Sequence, residues 1–294
     1  MKIGFIGAGK VGFSLGKYFV NNGIFVTGYY SKSSESAKSA ASFTNTKVYE
    51  SLTDILKDSD TLFLTVPDDV ISKIWECMKN LDVRNKKICH CSGSIASTAF
   101  FYAENKGAYA YSIHPLCAIN DKYNSWQNLK QTVFTIEGSK KYLAKMRSLF
   151  TNLGNDVVVI NTADKALYHT GAVMASNLVI ALLAMSMDVF KRCGFSAKTA
   201  QKALFPLFKG NVDNIISSGL INALTGPVER NDVKTLERHL DSLNENLDQV
   251  KIYKLLSLKL IEIAQQKHSQ RNYARMKEVL EDEKYSNDIS TTKR

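Results

Sequence analysis

No long unbroken apolar run occurs in this chain. Its most apolar stretch, residues 172–189, is interrupted by Ser176, Asn177, Ser186 and Asp188, and its longest polar-free run is Leu178–Met185. A bilayer span needs about 20 apolar residues. The stretch therefore reads as a helix buried inside protein, and no membrane partner is expected. An apolar strand begins at residue 2, which leaves no room for a leader peptide. Cysteines number only five, an odd count in 294 residues, which fits a reducing cytoplasm better than a disulfide scaffold. Cys89-His90-Cys91 invites a metal reading, but no second C-x-x-C or H-x-x-x-H supplies further ligands. Strand alternation also points His90 away from the two cysteines, so no metal is expected. The net charge of +10 raises nucleic acid as a partner. No helix-turn-helix, zinc-finger or ribonucleoprotein signature accompanies it. The excess of Lys and Arg is read instead as attraction for small anions. There is no internal repeat.

What is present starts at the N-terminus. Ile3, Phe5 and Ile6 make a short strand, and Gly7-Ala8-Gly9-Lys10-Val11-Gly12 follows with the spacing G-x-G-x-x-G. Gly7 permits the tight turn, Gly9 lets a pyrophosphate approach the backbone, and Gly12 lets the next helix lie close to the sheet. The free amides at that helix's start face the phosphates. A second strand, residues 24–29, ends in Gly28-Tyr29-Tyr30-Ser31-Lys32-Ser33 with no acidic residue. An acid there would bond the ribose 2′-hydroxyl of NAD. Ser31, Lys32 and Ser33 instead suit a 2′-phosphate, so NADP(H) is the expected cofactor. The alternative is a solvated loop lysine beside a helix-capping Ser33.

The length suits two domains. Residues 1–161 alternate strands and helices, as an α/β doubly wound sheet of Rossmann type requires. Eight strands are expected, with helices at 34–41, 51–56, 70–79, 95–105 and 139–153. The fourth strand ends in Val66-Pro67-Asp68-Asp69, where Val66 and Pro67 are either cofactor neighbours or strand punctuation, and Asp68 or Asp69 can cap the next helix. The fifth ends in Ser92-Gly93-Ser94, a small polar loop where substrate would meet the nicotinamide. The sixth ends in His114, able to donate a proton, orient a carboxylate or serve structurally. Residues 117–131 form a polar loop that could act as a lid. Residues 162–294 read as all-helical, with one long helix at 164–193, further helices at 196–209, 212–218, 232–240 and 247–265, and a disordered tail from about 285.

Two stretches of the second half carry chemistry. Lys165 and His169 are four apart on one helix face, with Asn177 two turns on; a buried Asn needs a partner, either substrate or a neighbouring helix. In Thr225-Gly226-Pro227-Val228-Glu229-Arg230-Asn231-Asp232, Thr225 can donate a hydrogen bond. Arg230 can hold a carboxylate or form a surface ion pair, and Asp232 can cap a helix.

The glycine motif, Val66-Pro67-Asp68 and the helical second half resemble the Rossmann-like oxidoreductases of the 6-phosphogluconate dehydrogenase superfamily. These include pyrroline-5-carboxylate reductase, deazaflavin-dependent NADP reductases and ketopantoate reductases. A narrower resemblance is to a family whose C-terminal domain has long lacked an assigned function. It is carried by His90-Cys91-Ser92-Gly93-Ser94, Ser112 to Leu116, Tyr168-His169 through Ser176-Asn177, and Leu224 to Pro227 with Arg230 and Asp232. The resemblance implies a homodimer built on the helical domain and, for some members, ketopantoate reduction in pantothenate synthesis.

The expected protein is thus a cytoplasmic NADPH-dependent reductase acting on a small carbonyl acid, ketopantoate on resemblance alone, in a cleft between domains. An imine reductase of pyrroline-carboxylate type and a non-catalytic NADP(H) sensor are the alternatives. Related hydroxyacid dehydrogenases follow a helix lysine with Asn one turn later, whereas here His169 follows Lys165. His169 is the first choice of proton donor and Lys165 the second, with His114, Ser94 and Asn177 orienting substrate.

Overall fold

A computed structural model describes residues 1–243 and 246–282. The chain divides into two compact units, one of residues 1–177 and one from residue 178 onward. Compactness thus places the division past residue 161, because the helix that follows packs with the first unit. The expected disorder from about residue 285 lies outside the described residues.

The first unit holds one eight-stranded sheet: β1 (Ile3–Ile6), β2 (Val26–Tyr30), β3 (Lys47–Val48), β4 (Thr61–Leu64), β5 (Lys87–His90), β6 (Tyr109–Pro115), β7 (Phe134–Gly138) and β8 (Val157–Val159). Their order is 3-2-1-4-5-6-7-8. Every residue of β1, β4 and β5 is buried, as strands covered on both faces require. Register aligns Phe5 with Phe63, Phe63 with Cys89, and Cys89 with Tyr111. That row faces α1 (Lys10–Asn21), α2 (Ser34–Thr44) and α5 (Leu143–Thr151) in one apolar cluster. The alternate residues Ile6, Leu62, Leu64 and Ile88 face α3 (Leu52–Asp58) and α4 (Asp68–Met78) in a second cluster. Phe5 stacks on Tyr29 with ring centres 5.2 Å apart.

Three sequence expectations for this unit change. Strand β7 runs antiparallel to β6, with Pro115 opposite Phe134, so the last two strands reverse the otherwise parallel sheet. Their connection carries no apolar crossover helix. Its 3-10 segment Ser125–Gln131 packs on α1, and Tyr123 sets its ring edge-on to Phe13 and Phe43. Residues 95–105 form two 3-10 turns, Ser97–Ala99 and Glu104–Lys106, rather than a helix. The expected helix 164–193 breaks at Ser176, whose backbone (φ −125°, ψ −79°) is not helical, giving α6 (Lys165–Ala175) and α7 (Asn177–Arg192).

The second unit is helical. It contains α8 (Ala197–Ala223), α9 (Pro227–Arg230), α10 (Val233–Leu243), α11 (Leu247–Lys267) and α12 (Ala274–Glu281). Helix α8 joins the two helices expected over 196–218, and its irregularity lies at Gly219 (φ 76°). Its core gathers Leu236, Leu240, Val250, Ile261, Tyr273, Met276 and Leu280. Helix α12 was not expected, and it docks through Met276, Val279 and Leu280. No residue of α7 is buried within the chain, contrary to the expected core helix. Residues 162–192 are long and apolar enough to cross a membrane by length and composition. The break at Ser176 leaves helices of 11 and 16 residues, each short of the roughly 20 a span takes.

Candidate active site

Strand β1 delivers the glycine turn to the carboxyl edge of the sheet. Gly7 has φ 106°, and a side chain there would meet the Thr65 carbonyl oxygen at 2.6 Å. Its amide donates to the Tyr30 carbonyl (2.8 Å), and the Thr65 hydroxyl donates to its carbonyl (2.8 Å). Above Gly9 the space is open, the nearest group being the Thr65 oxygen at 3.9 Å. Gly9 precedes α1 without any side-chain cap, and no acid lies in the first turn. The amides of Lys10, Val11 and Gly12 are therefore unclaimed inside the helix. This cradle fits a pyrophosphate, with Ala8 buried beneath it and Val66 packed against Gly7. Pro67 ends the neighbouring strand, exposed.

At the end of β2, Ser31 is half-buried and Lys32 exposed. Ser33 accepts a hydrogen bond from the Ser36 amide (3.2 Å) and caps α2. Its hydroxyl proton remains available for a ligand.

The loop after β5 is pinned from several sides. Ser92 N–H donates to His90 Nδ1 (3.3 Å), so the proton of that buried ring sits on Nε2, which donates to the Ala96 carbonyl (3.1 Å). Burial pushes the His90 pKa down to about 4. Asp68 leaves α4 uncapped. Its carboxylate instead accepts from Ser92 Oγ (2.8 Å) and Ser94 Oγ (3.1 Å).

Helix α6 lays three side chains over this loop. Lys165 is 2% exposed, and its Nζ has no hydrogen-bond partner among the described residues. Burial lowers its pKa to about 8, against the pull of Glu137, Cys91 and Asp68. One turn on, His169 holds a buried Nδ1 with no partner. A side chain on Gly93 would collide with that atom and lie 3.0 Å from His114 Nε2, so only glycine lets both imidazoles close on the loop. His114 Nδ1 is 2.9 Å from the Tyr168 hydroxyl. Burial, then the charges of Lys165 and His169, lower the His114 pKa to about 4.

Glu137 was missed from the sequence. Its carboxylate, 1% exposed, accepts from Ser97 N (2.6 Å), Ser97 Oγ (2.7 Å) and Thr162 Oγ1 (2.8 Å). The signal was an acid inside an otherwise apolar strand, a placement that burial penalises unless the group is bonded.

The structure thus brings Lys165, His169, His114, Ser94 and Ser92 together. It does not add Asn177, which is exposed at the helix break and bonded to Ser176 Oγ (3.1 Å). The expected burial of Asn177 fails because Ser176 turns the chain out of the helix there. Thr225 and Arg230 are exposed in the second unit. There the bonds from Thr235, then the charges of Arg238 and Arg230, lower the pKa of Asp232, which caps α10 through the Thr235 amide (3.1 Å).

Residues 2–88 match a family described as NADP oxidoreductase, coenzyme F420-dependent, and residues 132–260 match a domain of unknown function, DUF2520. No curated protein matches the chain. Among solved structures, protein TM1727 from Thermotoga maritima is 25% identical, with TM-score 0.74, over 92% of this chain and 100% of that one. A Bacteroides fragilis protein described as an NADP oxidoreductase is 20% identical, with TM-score 0.66, over 89% and 98%. Plasmodium falciparum pyrroline carboxylate reductase, solved with NADP bound, is 16% identical, with TM-score 0.56, over 91% and 97%. The chain has the fold of NADP-dependent oxidoreductases. At these identities the likeness is one of fold, which the chain shares with a pyrroline carboxylate reductase.

Proposed function

We propose that this chain is an NADP(H)-dependent reductase that delivers hydride to a carbon–nitrogen double bond, with an imine of pyrroline-carboxylate type ahead of ketopantoate as substrate. The observation that carries the reading is Lys165: a buried ammonium with no hydrogen-bond partner among the described residues, set over the Tyr168 ring (5.5 Å) and beside the loop at the end of β5, on the same sheet edge as an anion-ready glycine cradle. NADPH bound there would supply the hydride. The cradle residues Gly7 to Gly12 with Val66 and Pro67 hold the dinucleotide, and Ser31, Lys32 and Ser33 take its 2′-phosphate. Lys165, with a pKa near 8, gives a proton to the reduced substrate or holds its nitrogen protonated, and the match to working pH is what general acid catalysis requires. That role passes to Lys165 from His169, which with His114 and Ser94 orients the substrate. The Asp68 carboxylate behind Ser94 suits the positive charge of an iminium.

Two further parts of the reading concern binding. Thr225 and Arg230 are held as candidates for a substrate carboxylate. The apolar surface of α7 is taken to be covered by a second copy of the chain, since Leu178, Ile180 and Leu182 are 52%, 67% and 43% exposed.

The test is NADPH oxidation by the purified protein against cyclic imines, imino acids, ketopantoate and other 2-oxo acids. Oxidation led by a cyclic imino acid supports the reading. Oxidation by ketopantoate alone overturns the substrate class. Tight NADPH binding with no oxidation on the whole panel leaves a sensor.

A further inference from the structure

Two ring nitrogens converge over Gly93. His114 Nε2 and His169 Nδ1 both border the space that a Cβ would fill, and His169 Nδ1 is buried without a partner. What that space accepts depends on which nitrogen of His114 carries the proton, and the other end of the ring decides it. Nδ1 meets the Tyr168 hydroxyl at 2.9 Å, with the two rings edge-on and their centres 5.8 Å apart. Tyr168 lies one residue before His169 on α6, so a single helix turn supplies both neighbours of the His114 ring.

We infer that Tyr168 is a positioning residue: its hydroxyl donates to His114 Nδ1, which leaves the proton on Nε2, and Nε2 donates to an acceptor oxygen of the substrate held over Gly93.

Three observations favour this direction. A phenol can donate or accept, and the hydrogen bond shown for the Tyr168 hydroxyl is the one to His114 Nδ1; the nearby buried Thr135 hydroxyl has no hydrogen-bond partner among the described residues. The lone pair of Nδ1 is thus the acceptor that the phenol proton has at bonding distance. Second, the groups facing His114 are Lys165 and His169 from α6, Asp68 from the start of α4, and His90 from β5. Burial and Lys165 keep the ring neutral down to about pH 4, so it has one proton to place. Third, the reverse tautomer would aim a bare Nε2 lone pair at the space beside His169 and leave the phenol proton without an acceptor among the contacts shown. A neutral imidazole of this kind donates without giving up its proton, which leaves proton delivery to Lys165. The substrate class follows: it carries an oxygen acceptor, such as a carboxylate, beside the bond that is reduced. A plain amine-derived imine lacks one.

The role in substrate binding rests on the reductase reading, whereas the tautomer does not. The test is the side-chain 15N spectrum of the full chain with NADP+ bound, with His114 assigned by its loss in His114→Gln. The expected result is a bare Nδ1 and a protonated Nε2 from pH 5.5 to 8. In Tyr168→Phe both shifts should move toward a mixture of tautomers, while NADPH affinity and Tm stay close to the parent. On the substrate found by the panel, kcat/KM should fall about tenfold, the size of one misdirected hydrogen bond. A protonated Nδ1 in the parent, or an unchanged tautomer in Tyr168→Phe, overturns the inference. The expected tautomer with no turnover on any substrate overturns the reductase reading and leaves the Tyr168 assignment standing.

Discussion

An ammonium shut away from water and without an acceptor costs a protein stability, and Lys165 is such a group. Its replacement separates stability from function. In Lys165→Met, turnover should drop about 10²-fold or more if the residue is the acid, while Tm holds or rises. The linkage has a definite sign. The folded-state pKa of about 8 lies below the ordinary 10.5. Below pH 8 both states carry the proton, and the folded state bears the full cost of the buried charge. From about pH 8 to 10.5 the unfolded state binds more protons, so parent stability rises with pH through that window. Thermal melts across it should show the rise in the parent and not in the variant. Parent turnover should fall above about pH 8 as the acid loses its proton, and the variant should lack that limb. Lys165 and His169 were legible as candidates from their spacing. Their proposed ranking rests on burial, which brings the lysine near neutrality where solution pKa values favour histidine.

At the scale of elements, the join between β2 and α2 is the proposed site of the 2′-phosphate. Ser33 accepts from the Ser36 amide and keeps its hydroxyl proton for a 2′-phosphate, to which Lys32 adds a positive charge. Lys32→Ala should weaken NADPH about tenfold and leave NADH nearly unchanged, as read by fluorescence titration of both cofactors. The strands were readable because a run such as Thr61–Leu64, buried on both faces, needs continuous apolar sequence. Residues 95–105 were not. Phe100 and Ala103 mimic helical spacing there, but Ala96 and Ser97 spend their backbone groups on His90 and Glu137 and close only short turns. Helix α12 escaped because its apolar residues, Met276, Val279 and Leu280, sit among charges and identify themselves only by docking. The reversal of β7 carries no sequence mark beyond a connection too polar to cross the sheet face.

On the scale of the whole molecule, two compact units divide the chain, and the exposed helix α7 asks for a cover. Light scattering should give twice the mass of one chain, and Ile180→Glu, at a residue 67% exposed, should give the single-chain mass. A monomeric parent would remove the second copy from the reading. Within the first unit, Glu137 ties together segments that the chain makes at widely separated times. Its carboxylate joins Ser97, 40 residues earlier, to Thr162, 25 residues later. On the ribosome, the turn from Gly7 to Gly12 and its support at Thr65 emerge long before that clamp can close. The glycine turn therefore has its support in place before the clamp exists. The Glu137 clamp is complete only when Thr162 has left the exit tunnel, with Lys165 three residues behind it. The clamp and the start of the helix that carries Lys165, the proposed acid, thus arrive almost in the same moment of synthesis.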